Sequence, residues 1–442
     1  MVDEKKSIKV SHLAYSDQIG GASRAAYRIH KALTSHENKR IISSMRVLNK
    51  FSSDKSVKGG IAENSQFRFI LQKNINKVAR FFYSLNYPTE NVYSLAWPST
   101  GMGAELNKNH RNGNIDIVNI HYLADNTISI KEIGRLKMPL VWRLNDQWPF
   151  CSCEHYAKKI DPDTKLDLNS EYIYGYGNSK SNLNLLNIKK LIWLNKKKYW
   201  GKTINIVAPS NWIANCAKKS YLFKNQPIRV IPSAINLDFW NPVERSEARK
   251  KLDIPINNKV ILFGALGGMA DSRKGGDLLI KALNYIKTIV SDEFFQSIQL
   301  VIFGQEKTSK DLIEGYRIKY AGEIKNDRNL KLLYSASDVF VLPSRQDNLP
   351  GTGIESQACG TPVVAFNCGG LEDIVHDKVT GYLIKPFDHK LLAKKILRIL
   401  GNEDKKNSMK EASIKRAMDL WDEKKISKKY ADLYQEIIFG NK

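Results

Sequence analysis

The amino-acid sequence predicts an α/β protein built from two doubly wound domains, each a parallel sheet between layers of helices. Three observations carry that expectation. The chain has 442 residues, more than one hydrophobic core ordinarily organises. Short, nearly continuous apolar runs alternate with helical stretches, which is how parallel strands buried on both faces read in sequence. The alternation occurs twice, and the two series are separated by a polar break with two prolines, IPSAINLDFWNP at 231–242.

In the first series a strand is expected at 8–14, followed by a polar glycine turn at 16–21 and an amphipathic helix at 22–35. Further strands fall at 41–47, 115–122, 140–145 and 204–210, with a looser stretch between 51 and 114. The second series is more regular, with strands at 260–264, 298–304, 339–343, 362–366 and 381–384. A last helical stretch runs over 411–439. The expected domains are therefore 1–232 and 233–410, with 411–442 as a terminal helical segment.

Composition narrows the class. Hydrophobic residues at 42% and charged residues at 26% are those of a globular protein rather than a disordered one. No run approaches the ~18 apolar residues of a membrane span. The start is charged and enters a strand directly, so no secretory signal is expected. Five scattered cysteines argue against a disulfide framework and for a reducing cytoplasm. The net charge of +24 admits nucleic acid, an anionic membrane or anionic small molecules as partners. Lysines interspersed with asparagine and isoleucine also fit a biased genome. No aromatic–basic RNA motif, helix-turn-helix or zinc-finger spacing is present, so no nucleic-acid partner is expected.

The most informative segment is 341–360, VLPSRQDNLPGTGIESQACG. A buried strand ends at Pro343 and Ser344, a polar loop carries Asp347, and Pro350 leads into a helix bearing Glu355. Ligands of such sheets bind beyond the carboxyl ends of the strands. The amides of Gly351, Thr352 and Gly353 at the helix start would face an anion such as a diphosphate. Asp347 and Glu355 can each accept hydrogen bonds from sugar hydroxyls. An ordinary capped strand-to-helix loop has the same composition.

With those residues in place, the segment resembles the E-x7-E region of glycosyltransferase family 4, retaining enzymes of the GT-B architecture. Asp347 and Glu355 occupy its two acidic positions, the first of which is normally Glu. Other landmarks fall in the family's order. IPSAINLDF at 231–239 resembles the linker IPNGID, and FGALGGMADSRKG at 263–275 resembles the donor loop ending in Lys-Gly. The resemblance implies two Rossmann-like domains facing a central cleft, an N-terminal acceptor domain, a C-terminal donor domain and a final helix packing back on the first domain. It implies that Asp347 meets the transferred sugar, Glu355 the ribose, and Lys274 the diphosphate leaving group. The Arg usual at the start of the donor loop is replaced near Ala265, and Arg273 is its candidate substitute. Gly369 and Gly370, before Leu371, Glu372 and Asp373, resemble a second phosphate-side loop. The implied donor is a UDP- or GDP-linked sugar, used as substrate with no cofactor. The implied acceptor is a glycan or lipid-linked glycan.

In the first domain, Gly20 and Gly21 make a tight turn after the first strand, without a G-x-G-x-x-G fingerprint. By resemblance they face the cleft near the diphosphate and acceptor. WRLNDQWPFCSCEHY at 142–156 resembles a motif in a polysaccharide-forming branch of the family, as found in bacterial surface-glycan synthesis. Relatives carry His-Asp where this chain has Asn145 and Asp146. Asn cannot act as a general base, whereas Asp146 is a candidate to hold the acceptor hydroxyl. His121 either reaches the cleft or packs at its strand end.

Three further features have plainer readings. Cys151, Cys153 and His155 are too cramped for an ordinary zinc site. Asp161 and Asp163 form a D-x-D in a polar stretch rather than at a strand end, so no metal is expected. The helix 68–85 carries Leu71, Ile75, Val78, Phe82 and Leu85 on one face and Lys73, Lys77 and Arg80 opposite. It fits docking on an anionic membrane, and also the commoner surface helix whose apolar face enters the core. The Lys196, Lys197 and Lys198 run has the same two readings. Against the transferase reading stand a non-catalytic scaffold of the same architecture and a basic nucleic-acid-binding protein.

Overall fold

The computed structural model describes residues 7–35, 40–63, 65–86, 94–96, 99–124, 127–157, 170–176, 187–264, 271–305, 313–324 and 326–440. The chain forms two compact units, the first comprising residues 1–231 and 426–442 and the second residues 232–425.

The first unit holds a seven-stranded, wholly parallel sheet. Its strands are β1 (Ile8–Ser16), β2 (Ile41–Asn49), β3 (Val57–Lys58), β4 (Ile117–Ile120), β5 (Leu140–Arg143), β6 (Asn205–Ala208) and β7 (Ile228–Val230). Their order is β3-β2-β1-β4-β5-β6-β7. Central strands such as IVNI and LVWR are buried at every position, as strands covered on both faces must be. Asn119 on β4 donates to the Tyr434 hydroxyl at 2.6 Å, which ties the C-terminal helical turns to this sheet.

The second unit holds a six-stranded parallel sheet of β8 (Lys259–Gly264), β9 (Ile298–Phe303), β10 (Arg317–Gly322), β11 (Val339–Leu342), β12 (Val363–Phe366) and β13 (Gly381–Ile384). The order is β10-β9-β8-β11-β12-β13. One buried carboxylate pins its centre. Asp338, just ahead of β11, accepts from Val260 N at 2.6 Å, Arg249 Nη2 at 2.9 Å and Lys406 Nζ at 2.8 Å.

The terminal helical stretch differs from expectation in two respects. It consists of two helices, Glu403–Leu420 and Glu423–Phe439. The break falls where Ile235 intervenes, donating to Trp421 O at 2.8 Å and accepting from Glu423 N at 3.0 Å. The segment grouped with the first unit starts at Ile426, not 411, because the helix Glu403–Leu420 packs on the helices Gly351–Ala358 and His389–Leu400 of the second sheet.

The helix Gln66–Asn86 overturns the core-facing reading. Among its described residues Gln72, Asn76 and Tyr83 are buried, whereas Leu71, Ile75, Val78, Phe82 and Leu85 are exposed. Among the described residues no helix is long and apolar enough to cross a membrane.

Candidate functional site

The winding of the second sheet reverses between β8 and β11. In open parallel sheets the crevice beyond the strand ends at that reversal is where ligands bind. The chain after β8 returns as a short 3-10 turn, Ser272–Lys274, whose start is fixed by Asp271 Oδ1 accepting from Arg273 N at 2.9 Å. The chain after β11 runs alongside it. Arg345 N donates to Arg273 O at 2.8 Å, and Arg345 Nη1 donates to Ser272 O at 2.7 Å. Gly275 has φ +71°, and a Cβ there would lie 1.9 Å from Pro343 O, an approach open only to glycine.

These locked loops bring Lys274 and Asp347 together. Lys274 Nζ donates to Asp347 Oδ2 at 2.5 Å, and Arg273 Nη1 lies 3.8 Å from Asp347 Oδ1. Burial opposes ionisation of Asp347, but the Lys274 ammonium and then the Arg273 guanidinium outweigh it and hold the carboxyl below the usual carboxylate range. Arg273 is also engaged elsewhere, donating to Gln346 O at 3.2 Å and Asp271 Oδ2 at 3.0 Å.

Gly369 and Gly370 lie against the backbone of Asp347. Gly370 N donates to Asp347 O at 2.9 Å, and a Cβ on Gly369, at φ +62°, would lie 2.1 Å from the same oxygen. The Gly370 amide is thus spent on positioning the acid.

The helix Gly351–Ala358 starts after Pro350 with no side-chain cap. The three expected donor amides reduce to two. Gly353 N donates back to Pro350 O at 3.1 Å, and the residue packs against Leu342 and Ile374, where a Cβ would meet carbons at 2.9 and 3.0 Å. Gly351 and Thr352 remain as first-turn amides without a helical partner. Glu355, one turn in and buried, accepts from the Tyr334 hydroxyl at 3.2 Å.

The first unit has its own reversal, between β1 and β4. Beyond β1, Ser16 Oγ accepts from the amides of Gln18 and Ile19, both at 3.2 Å. Buried Asp17 accepts from the amides of Phe51 and Ser52, both at 2.9 Å. Gly20, at φ +78°, opens the helix Gly20–Thr34, which has no side-chain cap. A Cβ on Gly20 or Gly21 would meet nothing within 4 Å, so open space lies over this turn. His121 is packed, its Nε2 being 2.8 Å from His12 Nδ1.

Asp146 is buried and has a partner that sequence reasoning missed. Its Oδ2 lies 2.8 Å from His155 Nδ1, and its Oδ1 accepts from Trp148 N at 3.1 Å. The only sequence signal was an imidazole nine residues on, read as part of a cysteine cluster. The Cys151 and Cys153 thiols are buried, which pushes Cys151 well above the ordinary thiol value and Cys153 to about 12. No cluster of three His, Cys, Asp or Glu suited to a metal occurs among the described residues. Asp161, Asp163 and Ala265 lie outside the described residues. Arg345, which locks the two loops, had no sequence signal.

Residues 244–416, within the second unit, match the family described as Glycosyl transferases group 1. The chain is similar to the D-inositol 3-phosphate glycosyltransferase of Acidothermus cellulolyticus, 31% identical over 186 residues, covering 39% of this chain and 40% of that protein. It therefore spans about two fifths of the length of that relative. Among solved structures it is similar to sucrose-phosphate synthase from Thermosynechococcus elongatus, with a TM-score of 0.64, 17% identity and coverage of 98% and 100%. It is also similar to Anabaena HepE in complex with UDP and glucose, with a TM-score of 0.62, 15% identity and coverage of 97% and 99%. The fold is thus that of the GT-B glycosyltransferases, two Rossmann-like domains.

Proposed function

We propose that this chain is a glycosyltransferase that moves a sugar from a UDP- or GDP-linked donor to a hydroxyl of a glycan or lipid-linked glycan, with retention at the anomeric carbon. The observation that carries this reading is the Lys274–Asp347 pair at the switch point of the second sheet, beside the uncapped amides of Gly351 and Thr352. The Lys274 ammonium and those amides suit a diphosphate, whose negative charge grows as the sugar leaves. Asp347 holds sugar hydroxyls, and Glu355 holds the ribose. The bond from the anomeric carbon to the diphosphate oxygen breaks with both electrons going to the phosphate. The acceptor oxygen bonds to that carbon on the same face, and its proton passes to the departing phosphate. That route needs no imidazole at position 145. Asp146, oriented by His155, holds the acceptor hydroxyl. The role is in bacterial surface polysaccharide synthesis at the inner face of the cytoplasmic membrane. The UDP held by HepE supports the donor class.

Thermal melting of the purified chain against nucleotides and nucleotide sugars, with and without a chelator, tests the reading. The expected result is an upward shift with one nucleotide, undiminished by chelator and lost in Glu355→Ala. A shift without sugar transfer to any acceptor would reduce the chain to a nucleotide-binding scaffold. No shift with any donor would overturn the proposal.

A further inference from the structure

The helix Gln66–Asn86 is built inside out. Gln72, Asn76 and Tyr83, with half-buried Ala79 between the last two, recur at helical spacing and turn toward the first unit. Apolar side chains face away from it, with Phe67 78% exposed, Phe81 61%, Leu85 64% and Val78 57%. Contiguous apolar exposure of this kind marks a surface that meets something. The neighbouring helix Ile188–Tyr199 extends it with exposed Leu191 and Leu194. Between the two helices lies an open apolar groove of about 380 Å³, lined by Ile75, Val78, Phe82, Ile188 and Leu191 among others.

Charge selects the occupant. Neither helix contains an acidic residue. Arg68, Lys73 and Lys77 are exposed on the first, and Lys190, Lys197 and Lys198 on the second. A second copy of this face would set cations against cations. A nucleic acid would meet the lysines but leave the phenylalanines in water. An anionic bilayer offers both an apolar layer and negative headgroups at the depths where such a helix lies.

We propose that the helices Gln66–Asn86 and Ile188–Tyr199 dock the first unit on an anionic lipid bilayer, with Phe67, Val78, Phe81 and Leu85 entering the headgroup–acyl boundary and the groove receiving a lipid chain. This deepens the reading of a lipid-linked acceptor, and its test needs no donor, acceptor or turnover.

Flotation of the full chain with phosphatidylcholine vesicles, with and without phosphatidylglycerol, measures the docking. Wild type floats with phosphatidylglycerol vesicles, and the fraction bound falls at high salt. The double variant Val78→Gln/Phe81→Gln, altered only at exposed positions, loses roughly tenfold or more in partitioning, and Lys73→Glu/Lys77→Glu removes the preference for anionic lipid. Circular dichroism and an unchanged melting temperature establish that the variants fold. Wild type that stays unbound on anionic vesicles, or a double variant that floats as well as wild type, overturns the proposal. A wild-type dimer in sedimentation that Val78→Gln/Phe81→Gln dissociates would also overturn it, in favour of a second copy. Failure of flotation would leave nucleotide binding untouched, so the two readings fail separately.

Discussion

Lys274 donates to Asp347 at 2.5 Å, so the cation suited to a diphosphate is already neutralised by the carboxylate suited to the sugar. On the proposed reading, an incoming diphosphate must compete with Asp347 for the ammonium. Lys274→Ala removes the proposed phosphate contact and leaves a buried carboxylate without its nearest counter-charge. Nucleoside diphosphate affinity should fall by about 1.5–3 kcal/mol, the worth of a charged hydrogen bond. Sugar transfer should fall on the order of 10²–10³, as when a group stabilising transition-state charge is lost. Asp347→Asn removes the competitor, so UDP or GDP should bind at least as tightly as to wild type while transfer falls. Calorimetric titration of both variants, with single-turnover assays, separates the roles. Equal loss of diphosphate affinity in both would make the pair a structural brace only.

Three histidines make the first unit sensitive to acid. His12 Nδ1 lies 2.8 Å from His121 Nε2, and the His12 and His30 rings are 5.8 Å apart, all three being buried. Burial, then the charges of His121 and His30, hold His12 well below the ordinary imidazole value. Burial, then Arg143 and His30, do the same to His121. Burial lowers His30 to about 4, with Asp54 opposing and Lys31 reinforcing the shift. Between about 4 and 6.5 the folded protein therefore binds fewer protons than the unfolded chain, so stability is fully present above that window and is lost as pH falls through it. The His30 shift alone corresponds to about 3 kcal/mol across the window. Urea midpoints measured from about pH 7 to pH 4 should fall steadily, and His30→Asn should flatten the slope. A midpoint independent of pH in wild type would contradict the shift.

The sheet centres were legible in sequence because a strand covered on both faces must be apolar throughout, as VFVL of β11 and VVAF of β12 are. The edges were not. β3 is two residues long, β7 is half-exposed or exposed along its length, and β10 is mostly half-buried, so none presents an apolar run. The helix Gln66–Asn86 shows the opposite limit, since periodicity locates an apolar face but not what it faces. At the site, Lys274 and Asp347 are 73 residues apart and meet only because β8 and β11 are neighbours in the sheet. A family resemblance nominated both, but nothing local in the sequence places one beside the other. Arg345 and the Asp146–His155 pair depend on loop paths that no spacing encodes.

Lys196 holds the loop that presents Asp146 and His155. Its side chain is fully buried, and burial lowers its pKa to about 7 against the favourable charge of Glu154. The ammonium donates to the carbonyls of Trp148, Cys151 and Ser152, and it sits 3.8 Å above the Trp148 ring. Lys196→Met keeps most of the stem but strands three buried carbonyls, which should cost about 3 kcal/mol of stability. The loop should then loosen around Asp146 while the second unit keeps its own core. The acceptor KM should therefore rise, with nucleotide affinity unchanged, because a fully buried lysine in the first unit touches neither substrate. Melting, acceptor kinetics and nucleotide titration on one preparation check this. Parallel losses of acceptor turnover and nucleotide affinity would show that Lys196 supports the whole chain rather than this loop.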